Sequence, residues 1–180
     1  MNSDLKSRLP AFVDLSAVYS VIVVLFYGWT LVAFLWKVPS WLNYLTVGEM
    51  LTILAYSFAT NWIESLLLLG LLLLATVLLP PKLLLTNFVN RGSVIVLCLL
   101  GSGMTFYARF IEQGSSTADS WPVWLAVTLA ILSVCLVMVE NVKAAGAAVS
   151  WLAEQLTVFL YILLPLSALS AAVVLARNIF

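Results

Sequence analysis

The chain has 180 residues, 64% hydrophobic and 9% charged, with eight basic and eight acidic side chains and no histidine. A soluble domain is about 45–50% apolar and about 25% charged, so a chain with a mean hydropathy of +1.14 needs lipid as its solvent. Zero net charge, with no basic block longer than Lys6–Arg8, argues against nucleic acid as a partner. The missing imidazole removes histidine zinc sites, histidine-ligated haem and serine–histidine catalysis.

After a short polar tail, Asp14 is placed to cap a first apolar helix over residues 15–36. Its length and the absence of a small-residue cleavage site mark it as a retained anchor rather than a removed signal peptide. Pro39 disfavours helix at Val38, so Lys37–Ser40 is expected to end this span. Residues 41–56 are apolar but carry Asn43, Thr46 and Glu49, which suits an interfacial helix, a re-entrant segment or an extension of the next span. The second span, residues 58–79, is the most leucine-dense stretch, and a break or bend is expected near Ser57 to Asn61.

Pro80-Pro81 closes that span, and the third follows over residues 93–110. A polar turn at Gln113–Thr117 precedes the fourth, residues 121–139, opened by Ser120 as a cap and Pro122 near the first helical position. Residues 144–155 are small and weakly amphipathic, which fits a second interfacial helix. The fifth span, residues 156–176, contains Pro165, expected to kink it, and ends at Arg177. The fold expected is therefore a single all-α domain, a polytopic transmembrane helical bundle of about five spans plus one or two interfacial helices.

Five spans put Lys6, Arg8, Lys82, Arg91 and Lys143 on one side and Lys37, Arg109 and Arg177 on the other. The positive-inside rule then places the chain in a plasma (inner) membrane with a cytoplasmic N-terminus and an outside C-terminus. Trp36, Trp41, Trp62, Trp121 and Trp124 fall toward that outer side, where amphipathic rings favour the membrane–water boundary.

Four features bear on function. Ser57, Asn61 and Glu64 lie within about 60° of one another on a helix, a polar stripe that must face protein, water or headgroups. Glu49 joins this stripe only if the chain bends between them. Small residues align as Gly101, Thr105 and Ala108 on span three, with Cys98, and as Ala168, Ala172 and Ala176 on span five, spacing that lets helices approach closely. Arg109 with Glu112, and Glu140 with Lys143, are spaced to pair at helix ends. Cys98 and Cys135 read as small packing residues.

No nucleophile elbow, phosphate loop or intramembrane aspartate pair is present, so neither catalysis nor a cofactor or metal is expected. The motifs carry no family resemblance. The expected role is a non-catalytic accessory, assembly or scaffold subunit, with the lipid bilayer and either a second copy or a larger membrane complex as partners. A small transporter or channel using Ser57, Asn61 and Glu64 is the alternative. A lipid- or quinone-interacting protein is the third reading.

Overall fold

In the computed structural model, which describes residues 10–111 and 120–179, the chain is built of helices and turns. Helix α1 runs Phe12–Trp41, α2 Val47–Leu78 and the short α3 Pro81–Leu84. A 3₁₀ turn at Leu85–Asn87 leads into α4, Phe88–Phe106, which widens into a π turn at Tyr107–Ile111. Helices α5, Ser120–Asn141, and α6, Lys143–Ile179, complete the order. Five of these segments, with the 3₁₀ and π turns joined to α4, are long and apolar enough to cross a membrane. The all-α bundle expected from the sequence is the architecture found.

Several boundaries differ from expectation, each for a local reason. Asp14 does not cap α1: Ala11 holds the extended N-cap position and Asp14 sits in the first turn, where its charge favours the helix dipole. Pro39 does not end α1, which continues to Trp41. The proline removes one N–H from the ladder, but so near the helix end that the following amides recover: Leu42 donates to Val38 and Leu45 to Trp41, at 3.0 and 2.7 Å. No break interrupts α2 between Ser57 and Asn61. Ser57 and Thr60 return their hydroxyl protons to the carbonyls of Ile53 and Tyr56, at 2.9 and 3.0 Å, so the helix absorbs them without opening.

Of the three readings left open for residues 41–56, extension of the second span is the one found for 47–56, the first turns of α2; residues 144–155, read as an interfacial helix, are the first turns of α6. Those helices, at 32 and 37 residues, are about 48 and 55 Å long at about 1.5 Å per residue, beyond the roughly 30 Å of a hydrocarbon core. The helix α6 continues through Pro165. Arg109 lies in the π turn, while its expected partner Glu112, the turn 113–117 and Asp119 fall outside the described residues, as do Lys6 and Arg8. Glu140 pairs with Arg91 of α4 instead of Lys143, tying α4 to α5.

The helix α1 is central and packs against α2, α4 and α6; α6 also contacts α2 and α4, and α5 rests on α4 and α6. One core cluster joins Val18, Ile22, Leu72, Phe88, Val96 and Ala153. Small residues set its closeness. A Cβ on Gly92 would meet Val18 at 3.3 Å and Leu72 at 3.5 Å, and Ser20 donates to the Ala153 carbonyl at 2.9 Å. These contacts follow the rule that helices in lipid associate through small residues and hydrogen bonds.

A second cluster gathers Tyr19, Val23, Tyr27, Phe58 and Leu160. The Tyr27 hydroxyl meets Ser167 of α6 and lies 3.2 Å from the Phe58 carbonyl, while its ring packs edge-on against Phe58. Tyr19 bonds Ser65 at 3.2 Å. Tyr19, Val23, Tyr27 and Thr30 step by four, four and three residues, one inward line on α1. Each polar group on that line has a partner, as burial demands.

The small-residue faces expected to pack lie elsewhere. Ala168, Ala172, Ala176 and Thr105 are exposed, and nothing stands within 4 Å of a Cβ built on Gly101. Packing within the chain uses Gly92, Ala17, Ala153, Ser20 and Gly146 instead.

Candidate functional site: a chamber with a polar stripe, joined to a cleft

The helices α2 and α4 barely touch. They converge at Leu72 and Gly92, against Val18 of α1, and part toward the end of α4. The gap is a cleft of about 310 Å³, walled by Phe26 and Trp29 of α1, Glu64 of α2, and Leu99, Met104 and Tyr107 on the α4 side. It leads to a chamber of about 1000 Å³ among α1, α2, the π turn and the end of α6. Trp29, Thr30, Asn61, Glu64 and Tyr107 line both.

The predicted stripe is brought together here. Ser57, Asn61 and Glu64 all line the chamber, as does Ala108. Asn61, at 6% exposure, is fixed by Thr30: its amide donates at 2.8 Å and its carbonyl oxygen accepts at 3.2 Å. This pair floors the chamber, and the Tyr27–Phe58 contact stands beside it at the same level, because α1 and α2 run antiparallel. Glu64 is exposed toward the cavities, and no hydrogen bond or ion pair to it occurs among the described residues.

Glu49 does not join the stripe. Its carboxylate accepts from the backbone N–H and hydroxyl of Thr46, at 2.7 and 2.8 Å, and the Thr46 hydroxyl accepts from the Glu49 amide. That is a capping box, which satisfies the orphan donors at the start of α2. The spacing Thr46-x-x-Glu49 is the capping-box signature, and with α2 unbroken Glu49 stays off the stripe.

Two cations, Lys37 near the end of α1 and Arg177 near the end of α6, line the outer chamber. Arg177 donates to Thr52 at 2.8 Å, and the neighbouring Asn178 donates to the Tyr56 hydroxyl at 3.0 Å, so the last turn of α6 closes one wall. Lys37 and Arg177 were legible as same-side charges; the pairing of Thr30 with Asn61 and of Arg177 with Thr52 was not.

Glu64 lies near the middle of its own long helix, yet level with the last turns of α4, since it shares the cleft with Met104 and Tyr107. Trp121 and Trp124 cluster with Phe106 and Phe110 at that end, and the Trp124 indole donates to Ser102 at 2.8 Å. Trp36 and Trp41 sit about 9 and 16 Å farther along α1 than Thr30. The aromatic residues thus form two tiers: one around α4, α5 and Trp62, the other on the projecting ends that wall the chamber.

No protein-family model, curated protein or solved structure matches this chain. Among the described residues there is no cluster of three or more acidic, cysteine or histidine side chains placed to hold a metal.

Proposed function

We propose that this protein is a non-catalytic, multi-pass integral membrane protein that holds an amphiphilic small molecule in the chamber and serves as an accessory subunit in its membrane. The observation that carries this is the convergence of Ser57, Asn61 and Glu64 on one chamber whose remaining wall is largely apolar and aromatic. Ligand sites are concave and mostly apolar, with a few placed polar groups. Catalysis would need an acid–base pair or an activated nucleophile, and Glu64 faces the chamber among hydroxyls and an amide.

Binding is favoured over conduction by what lies beneath the floor. Val18, Ile22, Tyr27 and Ser65 are essentially without exposure, so the α1–α2–α6 seam is closed below the Thr30–Asn61 pair. With five basic residues of the sequence (Lys6, Arg8, Lys82, Arg91 and Lys143) on the opposite side from Lys37, Arg109 and Arg177, the positive-inside rule supports a chamber that opens on the outer side of a plasma (inner) membrane.

Native mass spectrometry of protein extracted from its own membrane tests the reading. The wild type is expected to carry a non-covalent small-molecule mass that is reduced in Ser57→Phe, whose added ring narrows the chamber beside Asn61 and Glu64. A bare mass for both, together with liposome flux abolished by Glu64→Gln, would replace binding with transport.

A further inference from the structure

Three parts of the chain each bring one aromatic or acidic side chain to the place where cleft and chamber join. They are Trp29 of α1, Glu64 of α2 and Tyr107, the first residue of the π turn. Thr30 and Asn61, which also line both cavities, are bonded to each other. Among the described residues lining the cleft, Glu64 alone is charged. No hydrogen bond or ion pair reaches its carboxylate from the described residues. Thr52, which holds Arg177, is about 18 Å from Glu64 along α2, and Lys37 is about 15 Å from its level along α1, at about 1.5 Å per residue. Neither cation is close enough to neutralise it. A carboxylate beside Phe26, Leu99 and Met104 is costly without a counter-charge.

We infer, on the reading that the chamber takes a small molecule, that this junction is a site for an alkylated ammonium group carrying an apolar substituent. Its nitrogen lies against the Glu64 carboxylate and the rings of Trp29 and Tyr107, and its apolar substituent lies among Leu99, Leu100 and Met104. Ring faces attract ammonium groups through the aromatic quadrupole, Trp most strongly, and alkylated nitrogens are held this way without hydrogen bonds. A bare divalent metal fits the donor set poorly, because calcium and magnesium take about six or more oxygen ligands. Here the side-chain oxygens of Thr30 and Asn61 are engaged with each other. Tyr107 opens a π turn, a distortion frequent at functional sites. At about 310 Å³ the cleft is at the small end of ligand pockets, room for one ring or a short chain on the nitrogen. Leu99, Gly103 and Tyr107 are exposed along it, so the cleft is open sideways, and a lipid headgroup presents the same ammonium chemistry as a free cation.

Equilibrium dialysis of labelled benzyltrimethylammonium against the full chain in non-ionic detergent measures the site. Glu64→Gln keeps the side-chain shape and loses no contact, so it should unfold like wild type yet bind the cation at least about tenfold more weakly. Trp29→Leu and Tyr107→Leu should each weaken binding about two- to fivefold. Gly103→Leu should weaken it by filling the cleft, and a Cβ there meets nothing within 4 Å, so the fold is retained. Benzylsulfonate and benzyl alcohol, the anionic and uncharged probes, should compete at least about tenfold less well than the unlabelled cation. Displacement by dioctanoyl phosphatidylcholine would assign the ammonium to a lipid headgroup, and resistance to it would assign a free cation. Unchanged binding in Glu64→Gln, competition by either other probe as strong as by the cation, or equal competition by sodium would each overturn the ammonium assignment. If the cation fails to bind but a native small-molecule mass is still reduced in Ser57→Phe, the chamber remains a ligand site and only this assignment falls. If neither binds, both readings fall.

Discussion

Tyr27 separates two kinds of glue in the α1–α2–α6 seam. It is 1% exposed, its ring packs on Phe58 at a centroid distance of 4.9 Å, and its hydroxyl bridges toward Ser167 and the Phe58 carbonyl. Tyr27→Phe removes the hydroxyl alone. Neither group left behind is stranded, because Ser167 donates to Leu163 at 2.6 Å and the Phe58 carbonyl remains within α2. Interhelical hydrogen bonds in lipid average about 0.6 kcal/mol, so a loss of about 0.5–1 kcal/mol is expected. Tyr27→Ala removes the ring as well and leaves a cavity between three helices, for which aromatic-to-alanine changes cost about 3–5 kcal/mol. Reversible unfolding of the full chain in mixed micelles, titrated with a denaturing detergent, measures both. If Tyr27→Phe costs as much as Tyr27→Ala, hydrogen bonding and not packing holds the seam, and the reasoning fails.

Three further outcomes follow from local geometry. Gly92→Leu should destabilise by about 1–3 kcal/mol through overpacking against Val18 and Leu72, whereas Gly103→Leu, with open space at Cβ, should be neutral or gain up to about 1 kcal/mol of helix propensity; the same unfolding titration compares them. Thr46→Ala, by removing the cap of α2, should cost about 1 kcal/mol and raise hydrogen exchange over residues 47–50 selectively, while Glu49→Gln, which keeps a capping-box residue, should change little. Cys98 of α4 lies beside Cys135 of α5, and both are free thiols. Mild oxidation of the full chain should therefore link them within one molecule, read as joint loss of thiol labelling; unlinked thiols would contradict the α4–α5 register.

The sequence located the stripe of Ser57, Asn61 and Glu64 because a helix repeats every 3.6 residues and these positions share one face whatever surrounds them. It misread Pro39 as a helix end, since so near the last turn the missing N–H costs little, and it grouped Glu49 with a site when its Thr46 partner stood three residues before it; an extension of the second span over residues 47–56 was among its readings. The cysteines were too distant in sequence to be paired, and their meeting depends on how α4 lies along α5.

Composition by itself determined that the chain is a bundle of apolar helices, since backbone groups in hydrocarbon must bond within their own segment. Leucine-dense periodicity fixed where most of those helices lie. Tertiary packing alone decided which small residues pack within the chain, Gly92 and Ser20 and not the equally spaced alanines of α6, because closeness depends on what stands opposite. It decided also that α2 and α4 meet at Leu72 and Gly92 and part above them. A cavity belongs to the space between helices, and no single helix encodes that space.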